Sequence, residues 1–421
     1  MSRHPDTDAD VLIIGAGPAG AAAAAWLARA GYRVRVLERD HFPRFCLGES
    51  LLPACMEDLA RAGLLDSVQR GGYQTKDGAA FTWRGREATV DFRDRQGPGW
   101  RHTYQVERAD FDRRLIRAAA EQGAEVEFGV TVTAVHPDRR RPRLTRVDEH
   151  GRGRVLTARF LLDASGPGRV IARALGLARP PRLAPRLALF THLTDGIRDP
   201  AFDRDKILIA IHPREAGIWY WLIPFSAGRA SLGVVGAPAA LARHGDTPEA
   251  RWQALLDAEP RLRDLLQDAR RRRPLGELQG YAAAASRLHG PGYAVLGNAG
   301  EFLDPVFSSG VTIALRSALM AAPLVARQLD GEAVDWAEAF ETPLRRGITT
   351  FRAFVEAWYD GRLPAIIFHP RQPDSLRSQI SGVLAGYAWD RDNPFVRAPR
   401  RRLDALARHC GHRRPSAGGA P

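Results

Sequence analysis

The segment Asp10-Val11-Leu12-Ile13-Ile14-Gly15-Ala16-Gly17-Pro18-Ala19-Gly20 carries the strongest structural signal of this 421-residue chain. Its apolar run predicts a buried strand, and the glycine-rich turn leads into an alanine-rich helix over 21–29. A second apolar strand, 33–37, ends at Glu38. A strand, a GxGxxG turn, a helix and a strand that ends in a carboxylate predict the βαβ opening of a dinucleotide-binding fold.

Each residue of this fingerprint has a predicted task. Gly15 allows the tight turn, Gly17 lets the backbone approach a pyrophosphate, and Gly20 permits close packing of helix and strand. The phosphates would lie at the helix N-terminus near Ala19, where free N–H groups favour negative charge. Glu38 would bind the ribose hydroxyls of an adenosine, which disfavours a 2′-phosphate and so NADP. The fingerprint alone leaves NAD and FAD open.

Lysine is almost absent from this chain. Of 61 basic residues only Lys76 and Lys206 are lysines, and the other 59 (61 − 2) are arginines. A lysine can lose its proton and become a nucleophilic amine, whereas arginine stays protonated. Lys76 is therefore a candidate functional residue, with an ordinary surface lysine as the alternative. Lys206 has no notable neighbours in the sequence and is interpreted as incidental.

The chain is basic, with a formal net charge of +13 and arginine runs at 139–141, 270–273 and 400–402. These runs are solvated loops or a docking surface for an anionic partner, such as an acidic carrier protein. No zinc finger, basic zipper or RNA-binding motif supports nucleic acid as that partner. The three cysteines have no metal-ligand or disulfide spacing, and no signal peptide or long apolar run is present. We therefore expect a cytoplasmic protein without a bound metal or a membrane span.

Further elements follow from apolar periodicity. The predicted strands lie at 125–132, 155–162 and 293–296, and an antiparallel meander at 206–212, 218–224 and 230–235. The predicted helices lie at 108–122, 311–328 and 333–359, and the tail from about residue 397 is expected to fray.

Two further segments carry a family resemblance. His41-Phe42-Pro43-Arg44-Phe45-Cys46-Leu47-Gly48-Glu49-Ser50 follows the second strand, and Gly297-Asn298-Ala299-Gly300-Glu301-Phe302-Leu303-Asp304-Pro305 follows the late strand. With the fingerprint, they resemble FAD-dependent monooxygenases of the para-hydroxybenzoate-hydroxylase-like fold over residues 8 to 325. Within that superfamily the chain is most similar to flavin-dependent halogenases of phenols and pyrroles, and geranylgeranyl-reductase-like enzymes are its neighbours.

The resemblance implies an α/β fold with a Rossmann-like FAD-binding domain, an inserted antiparallel β-sheet substrate domain and a C-terminal helical region. The predicted boundaries are 1–75, 105–178 and 280–328 for the FAD-binding domain, 76–104 and 179–279 for the substrate sheet, and 329–421 for the helical region with its basic tail. It also implies FAD contacts by Arg44, Glu49, Ser50, Arg108, Asn298, Asp304 and Pro305. Asn298 stands where the family usually has Asp, so the hydrogen bond to the ribityl chain is not charge-assisted.

Two motifs point to halogenation in particular. Trp219-Tyr220-Trp221-Leu222-Ile223-Pro224 matches WxWxIP, and its two tryptophans share one face of a strand. In the family they form a wall between substrate and flavin, and the alternative is two core aromatics. Phe302-Leu303-Asp304-Pro305-Val306-Phe307-Ser308-Ser309-Gly310 matches FxxPxxSxG. By resemblance, Ser308, Ser309 and Gly310 bind chloride or bromide at a helix N-terminus, and the alternative is an ordinary capped helix beside the flavin.

The third motif is KxGxxFxW, which begins at Lys76. By resemblance, reduced FAD and O2 oxidise the halide to hypohalous acid, which travels to Lys76. The amine forms a haloamine or holds the acid by hydrogen bonds, and an electron-rich arene then takes the halogen. Tryptophan halogenases have a Glu where this chain has Phe307, so free tryptophan is not the expected substrate.

The sequence therefore predicts an FADH2-dependent halogenase with Lys76, Trp219 and Trp221 as its catalytic residues. Its substrate would be a phenolic or pyrrole-like arene, free or tethered to an acidic carrier protein. It would need a separate flavin reductase, because no second nucleotide motif is evident. An aromatic hydroxylase or C=C reductase on the same scaffold is the alternative, and a non-catalytic basic flavoprotein is a third interpretation.

Overall fold

The computed structural model describes residues 7–371 and 373–412. The strands are β1 (Val11–Ile14), β2 (Val34–Leu37), β3 (Gln74–Lys76), β4 (Gly78–Trp83), β5 (Arg86–Asp91), β6 (Thr103–Gln105), β7 (Glu125–Glu127), β8 (Val130–His136), β9 (Arg143–Asp148), β10 (Gly153–Thr157), β11 (Phe160–Asp163), β12 (Ala178–Arg179), β13 (Leu187–Thr194), β14 (Lys206–Ile211), β15 (Trp219–Phe225), β16 (Arg229–Gly236), β17 (Arg270–Arg271), β18 (Gly276–Gln279), β19 (Ala283–Ala285), β20 (His289–Gly290), β21 (Tyr293–Val295) and β22 (Glu301–Phe302).

The α-helices are α1 (Pro18–Arg29), α2 (Ala54–Ala62), α3 (Leu65–Gln69), α4 (Arg108–Glu121), α5 (Val170–Ala174), α6 (Pro238–Ala242), α7 (Pro248–Asp257), α8 (Pro260–Leu265), α9 (Ser309–Leu329), α10 (Thr342–Tyr359), α11 (Arg362–Ile367), α12 (Asp374–Leu384), α13 (Pro394–Arg397) and α14 (Pro399–His409). Short 3-10 helices span Phe92–Asp94, Gly166–Gly168, Gly297–Ala299 and Pro305–Phe307, and a short π-helix spans Ala337–Glu341.

The N-terminal βαβ unit forms the centre of a six-stranded sheet with the order β20-β21-β11-β1-β2-β7. Strand β1 pairs in parallel with β2 and with β11. All four residues of β1 are buried, as expected of a strand covered on both faces. Helix α1 packs against α4 and α9, and its alanines allow the close approach. The predicted Rossmann-like sheet is therefore present.

The predicted meander is the centre of an eight-stranded sheet, in which β13, β16, β15, β14, β4 and β5 are neighbours in that order. Strands β14, β15 and β16 pair antiparallel, as predicted. Alternate residues of β15 contact different cores: Trp219 and Trp221 contact the core shared with the six-stranded sheet, whereas Tyr220 and Leu222 contact a smaller core. Residues of α7 and α8 complete that smaller core. The predicted α/β fold with C-terminal helices is confirmed. The sheet itself is mixed, because β14 pairs in parallel with β4, whereas β4 and β5, β14 and β15, β15 and β16, and β13 and β16 pair antiparallel.

Several predicted element boundaries were wrong. The strand predicted at 125–132 is divided at Gly129, whose φ of +70° turns the chain between β7 and β8. The strand predicted at 155–162 is likewise split into β10 and β11. The tail from residue 397 contains helix α14, which buries Leu403 and Leu406, so its described part is folded. Residues 1–6 and 413–421 of the predicted terminal segments lie outside the described residues, and the domain boundaries stay predictions.

Helix α9 is long and apolar enough to cross a membrane, yet 78% of its most apolar window is buried within the protein. It lies between α1 and α2 and contributes to the large core. Its composition is thus explained by packing inside the protein.

Candidate functional site

The glycine-rich turn after β1 has the geometry that its sequence predicts. Gly15 has φ +97°, and a Cβ atom there would lie 2.6 Å from the carbonyl oxygen of Ala164. A Cβ on Gly17 would instead meet one atom, of Arg44, at 3.7 Å. The packing of the protein therefore requires glycine at position 15, whereas the open space at Gly17 faces the region where a pyrophosphate would lie.

The predicted nucleotide carboxylate braces this turn. One oxygen of Glu38 accepts the N–H of Ala16 at 2.8 Å, and the other accepts the N–H of Asp40 at 3.0 Å. Helix α1 has Gly17 as its N-cap and no side-chain cap, so its first N–H groups are open to a ligand.

Arg108 positions the loop that carries Glu49 and Ser50. Its guanidinium is buried and forms a bidentate pair with Asp112, at 2.8 and 3.0 Å. Its Nη1 donates to the carbonyl of Leu47 at 2.8 Å. These partners occupy most donors of Arg108, so the structure shows a support for the loop, and the predicted FAD contact of this residue stays a prediction.

Buried polar atoms without partners mark the predicted cofactor site. Such atoms are rare in folded proteins and normally bond to a ligand or water. Three of them belong to residues predicted to contact FAD: Glu49 Oε2, Ser50 Oγ and Asn298 Oδ1. The other carboxylate oxygen of Glu49 bonds Nε2 of His192 at 2.6 Å. Together with the open glycine turn, these atoms fit FAD, whose ribityl and ring system offer many hydrogen-bonding groups.

The predicted halide loop lies at the start of helix α9. Ser308 is left-handed, with φ +55°, and the helix begins without a side-chain cap. A Cβ on Gly310 would lie 3.2 Å from Phe302 and 3.7 Å from the amide of Asn298. The uncapped N–H groups of a 21-residue helix thus lie next to a predicted flavin contact, which is a favourable place for an anion.

Lys76 is buried at the end of β3. The residue is only 1% exposed to solvent, and its amine donates a hydrogen bond to the carbonyl oxygen of Leu51 at 2.8 Å. Burial lowers the pKa of Lys76 from 10.5 to about 7. The amine is therefore substantially neutral at physiological pH, which an ordinary surface lysine is not.

Lys76 and the halide loop line one narrow cavity. Its volume is about 20 Å³, which is enough for one or two water-sized molecules. The loop contributes Val306, Phe307 and Ser308 to its wall. The other lining residues are Leu52, Ala79, Phe81, Phe92, Ile207, Ile209 and Leu384. Segments that are more than 200 residues apart in the sequence thus line the same small cavity, and no carboxylate is among the described residues that line it.

The two tryptophans of the WxWxIP motif are buried beside this site, and they are not among the residues that line the cavity. Their rings lie 6.0 Å apart. The indole N–H of Trp219 donates to the hydroxyl of Tyr359 at 3.0 Å, and that of Trp221 to Ser231 at 3.1 Å. Both rings are therefore held rigidly.

Tyr359, which the sequence did not reveal, connects this wall to the halide loop. Its hydroxyl donates to Oδ2 of Asp304 at 2.9 Å, while Oδ1 accepts the N–H of Val306 at 3.0 Å. Burial raises the pKa of Asp304 to about 6. Tyr359 ends helix α10, where no motif marks it, so only the packing of that helix could identify the contact.

Lys206 is not incidental, contrary to the interpretation from sequence. It is 6% exposed, and its amine pairs with Asp77 at 2.8 Å and Asp203 at 2.7 Å. Because Asp77 follows Lys76 directly, this buried ion pair fixes the segment that carries the candidate amine. The sequence did not indicate the pairing with Asp77, because Asp77 and Lys206 are far apart in the chain and neither lies in a recognisable motif with the other.

A cluster of His212, Glu215 and His244 has ligand atoms within 4.8 Å of one another, a spacing that a metal ion could bridge. In this structure Nδ1 of His212 accepts the N–H of Glu215 at 3.0 Å. The carboxylate of Glu215 bonds His244 at 2.9 Å and pairs with Arg243. These bonds close the turn between β14 and β15 and occupy Nδ1 of His212 and the carboxylate of Glu215, whereas Nε2 of His212 is buried without a hydrogen-bond partner among the described residues.

Comparisons with known proteins agree with this geometry. Residues 8–337 match the profile of a family described as FAD binding domain. A flavoprotein/dehydrogenase from Cytophaga hutchinsonii is 41% identical, with a TM-score of 0.92 over 96% of this chain and 98% of that protein. The myxobacterial chondrochloren halogenase CndH, described as FAD-dependent, is 30% identical, with a TM-score of 0.78 over 96% of each chain.

A relative with a defined substrate is also found. The 1H-pyrrole-2-carbonyl-[peptidyl-carrier protein] chlorinase of Pseudomonas fluorescens is 29% identical over 92% of this chain and 90% of its own length.

Proposed function

Because this chain belongs to the FAD-binding-domain family, and within it to the flavin-dependent halogenases, we propose how its residues halogenate an electron-rich arene. When bound as FADH2, the cofactor supplies, with O2, the oxidising equivalents that convert chloride or bromide to hypohalous acid. Gly15, Gly17, Ala19 and Glu38 would hold its nucleotide half. Glu49, Ser50 and Asn298, with their unpartnered polar atoms, would hold the ribityl chain and ring system. Arg44, Asp304 and Pro305 complete the proposed FAD contacts, and Arg108 acts through the loop that it supports.

The observation that carries the proposal is the cavity shared by Lys76 and the halide loop. A volume of about 20 Å³ holds a molecule the size of hypohalous acid, whereas an arene needs a space several times larger. The arrangement therefore lets an oxidised halogen pass from the loop to the amine while the arene stays on the far side of Lys76. Containment of this kind prevents indiscriminate halogenation.

Lys76 receives the halogen. A pKa of about 7 provides a neutral amine, and its hydrogen bond to the carbonyl of Leu51 orients the nitrogen. The neutral amine either forms an N–halogen bond, with loss of water from the acid, or holds the acid by hydrogen bonds. Arginine could donate hydrogen bonds but would not form the haloamine. The arene then takes the halogen and loses a proton. The base that accepts this proton lies outside the cavity, because no carboxylate or histidine is among the described residues that line it.

The remaining residues confine the reaction. The first N–H groups of α9, at Ser309 and Gly310, hold the halide, with Ser308 in the left-handed turn before them. Trp219 and Trp221 separate the arene from the flavin, and their hydrogen bonds to Tyr359 and Ser231 keep the indoles in place. This separation suppresses direct hydroxylation.

The proposed substrate is a pyrrole-like or phenolic arene that is tethered to a carrier protein when it reacts. The Pseudomonas relative acts on a pyrrole-2-carbonyl group that is bound to a peptidyl carrier protein. The net charge of +13 suits an acidic carrier. A separate cytoplasmic flavin reductase would supply FADH2.

The test combines purified enzyme, a flavin reductase, O2, bromide, and a panel of free and carrier-bound phenols and pyrroles. We expect a brominated product from wild type. Lys76→Ala and Lys76→Arg should retain FAD and oxidise bromide, detected with a small chemical trap, yet give less than about 1% of the arene product, because each lacks a neutral amine. Full product formation by either variant would contradict the role of Lys76.

The same scaffold also supports a dehydrogenase or hydroxylase, because the Cytophaga relative is described as a flavoprotein/dehydrogenase. This alternative predicts NAD(P)H oxidation by the pure protein, stimulated by substrate without any added reductase. Halide dependence of product formation separates the two functions.

A further inference from the structure

A second cavity lies at the exposed edge of the eight-stranded sheet. It has a volume of about 570 Å³ and is enclosed by edge strand β5 and by residues of α11 and α12. Small-molecule sites are typically about 300–1,000 Å³. We call this cavity, whose walls include residues 86–90 and 366–370, the edge groove.

Only one layer of side chains separates the edge groove from the cavity of Lys76. Val90 lines the groove, and its cross-strand partner Ala79 lines the cavity of Lys76. Ile380 and Leu384, one turn apart on α12, are divided between the two spaces in the same way. A substrate in the groove would therefore reach Lys76 after a small movement of Val90 and Ile380.

The groove offers a row of backbone hydrogen-bonding groups. The hydroxyl of Ser381 donates to the carbonyl of Asp91 at 2.7 Å, which shows that this carbonyl points away from β4. Outward and inward groups alternate along an antiparallel edge strand, so the N–H and C=O groups of Glu87 and Thr89 also point outward. Such an edge pairs readily with an extended chain that contains amides.

The rim of the groove is positively charged. The guanidinium of Arg86 stacks over the ring of Phe368 at 5.3 Å, and Arg377 lies on the opposite wall. Within residues 7–371 and 373–412, neither arginine pairs with a carboxylate. The one acidic lining residue, Glu87, is 3.6 Å from Arg261 and so is partly neutralised. The groove therefore presents two free cations beside an apolar floor.

We propose that the edge groove binds the phosphopantetheinyl arm by which a carrier protein presents its thioester-linked arene. The phosphate would bind Arg86 and Arg377. The two amides of the pantetheine would pair with the outward groups of Glu87 and Thr89, and the thioester end would point towards Val90. This inference rests on the proposed function and adds the site, the tether chemistry and the direction of entry.

Binding of the arm is measured without any halogenation. Isothermal titration of the FAD-loaded protein compares 4′-phosphopantetheine with pantetheine. We expect phosphopantetheine to bind about tenfold more tightly at low salt and to lose that advantage at about 0.5 M salt. Equal affinity of the two probes, or no detectable binding of either, would overturn the inference.

Three variants locate the site. Arg86→Ala combined with Arg377→Ala should reduce the affinity for phosphopantetheine to that for pantetheine, and the matched pair Arg139→Ala with Arg140→Ala should have no effect. Thr89→Pro removes one outward N–H without breaking the ladder to β4, so it should weaken both probes by the same factor. Unchanged binding by the Arg86 and Arg377 double variant would place the arm elsewhere.

Turnover distinguishes this inference from the proposed function. The double variant should raise KM for a carrier-bound arene at least about tenfold and leave free arenes unaffected, because it removes ground-state binding alone. Failure to halogenate any arene, with phosphopantetheine binding intact, would contradict the proposed function and not the groove.

Discussion

Replacement of Lys76 by methionine should stabilise the protein in a manner that depends on pH. Burial lowers the pKa of this amine from 10.5 to about 7, so the unfolded chain binds more protons than the folded protein between these values. The stability of the wild type therefore rises with pH through this window. One pKa unit corresponds to about 1.4 kcal/mol, so the buried amine costs about 5 kcal/mol at pH 6 and about 2 kcal/mol at pH 9.

The measurable quantity is the difference in the free energy of unfolding between Lys76→Met and wild type, compared at pH 6 and at pH 9. This advantage of Lys76→Met in the free energy of unfolding should fall by about 3 kcal/mol from pH 6 to pH 9, or about 3 °C in Tm for a chain of this length. The lost hydrogen bond to the carbonyl of Leu51 does not depend on pH and cancels in this difference. Thermal melts of the apo proteins at both pH values measure the effect.

Lys206→Met is the matched control. Its two aspartate partners raise the pKa of Lys206, so this amine stays charged throughout pH 6–9 and its replacement should have the same effect at both values. An advantage of Lys76→Met that is equal at pH 6 and pH 9 would refute the neutral amine, and with it the haloamine step.

Three further predictions concern the surroundings of Lys76. Lys206→Met should lower the free energy of unfolding by about 2–3 kcal/mol, as measured by urea unfolding. This is less than the cost of breaking a fully buried ion pair, because the side chain of Asp203 is 50% exposed. Tyr359→Phe should lower stability by about 1–3 kcal/mol at pH 8 and by less at pH 5 in thermal melts, because Asp304, with a pKa of about 6, is then largely protonated. An equal loss at both pH values would exclude charged Asp304 as the group that Tyr359 stabilises. Gly310→Ala should raise the KM for halide at least about threefold while FAD affinity is retained, because the added Cβ would lie 3.2 Å from Phe302 and displace the start of α9; an unchanged KM for halide would place the anion elsewhere.

Local sequence was sufficient for the fingerprint and for the motifs. The turn at Gly15 and the strand that ends at Glu38 depend on neighbouring residues and on backbone geometry, so both were predictable. The faces of β15 were predictable for the same reason, because side chains alternate along a strand. Element ends were less predictable, as the break at Gly129 shows, because a glycine with positive φ is not distinguishable from other glycines in the sequence.

The partners of each functional side chain were not predictable. The contact between Tyr359 and Asp304 and the carbonyl that binds Lys76 depend on how distant segments pack, and no local pattern encodes them. The interpretation of Lys206 was wrong for this reason, since one of its two partners, Asp77, lies between β3 and β4, far from Lys206 in the sequence.

The sequence by itself determined the dinucleotide fold, the identity of the rare amine and the motif that begins a helix with serines and glycine. Only the tertiary structure decided the protonation state and the surroundings of that amine. Packing places Lys76 in a cavity with the halide loop and removes it from water, and the loss of hydration lowers its pKa. Desolvation is a property of all the atoms around a group, so a sequence names the residue while the fold sets its charge.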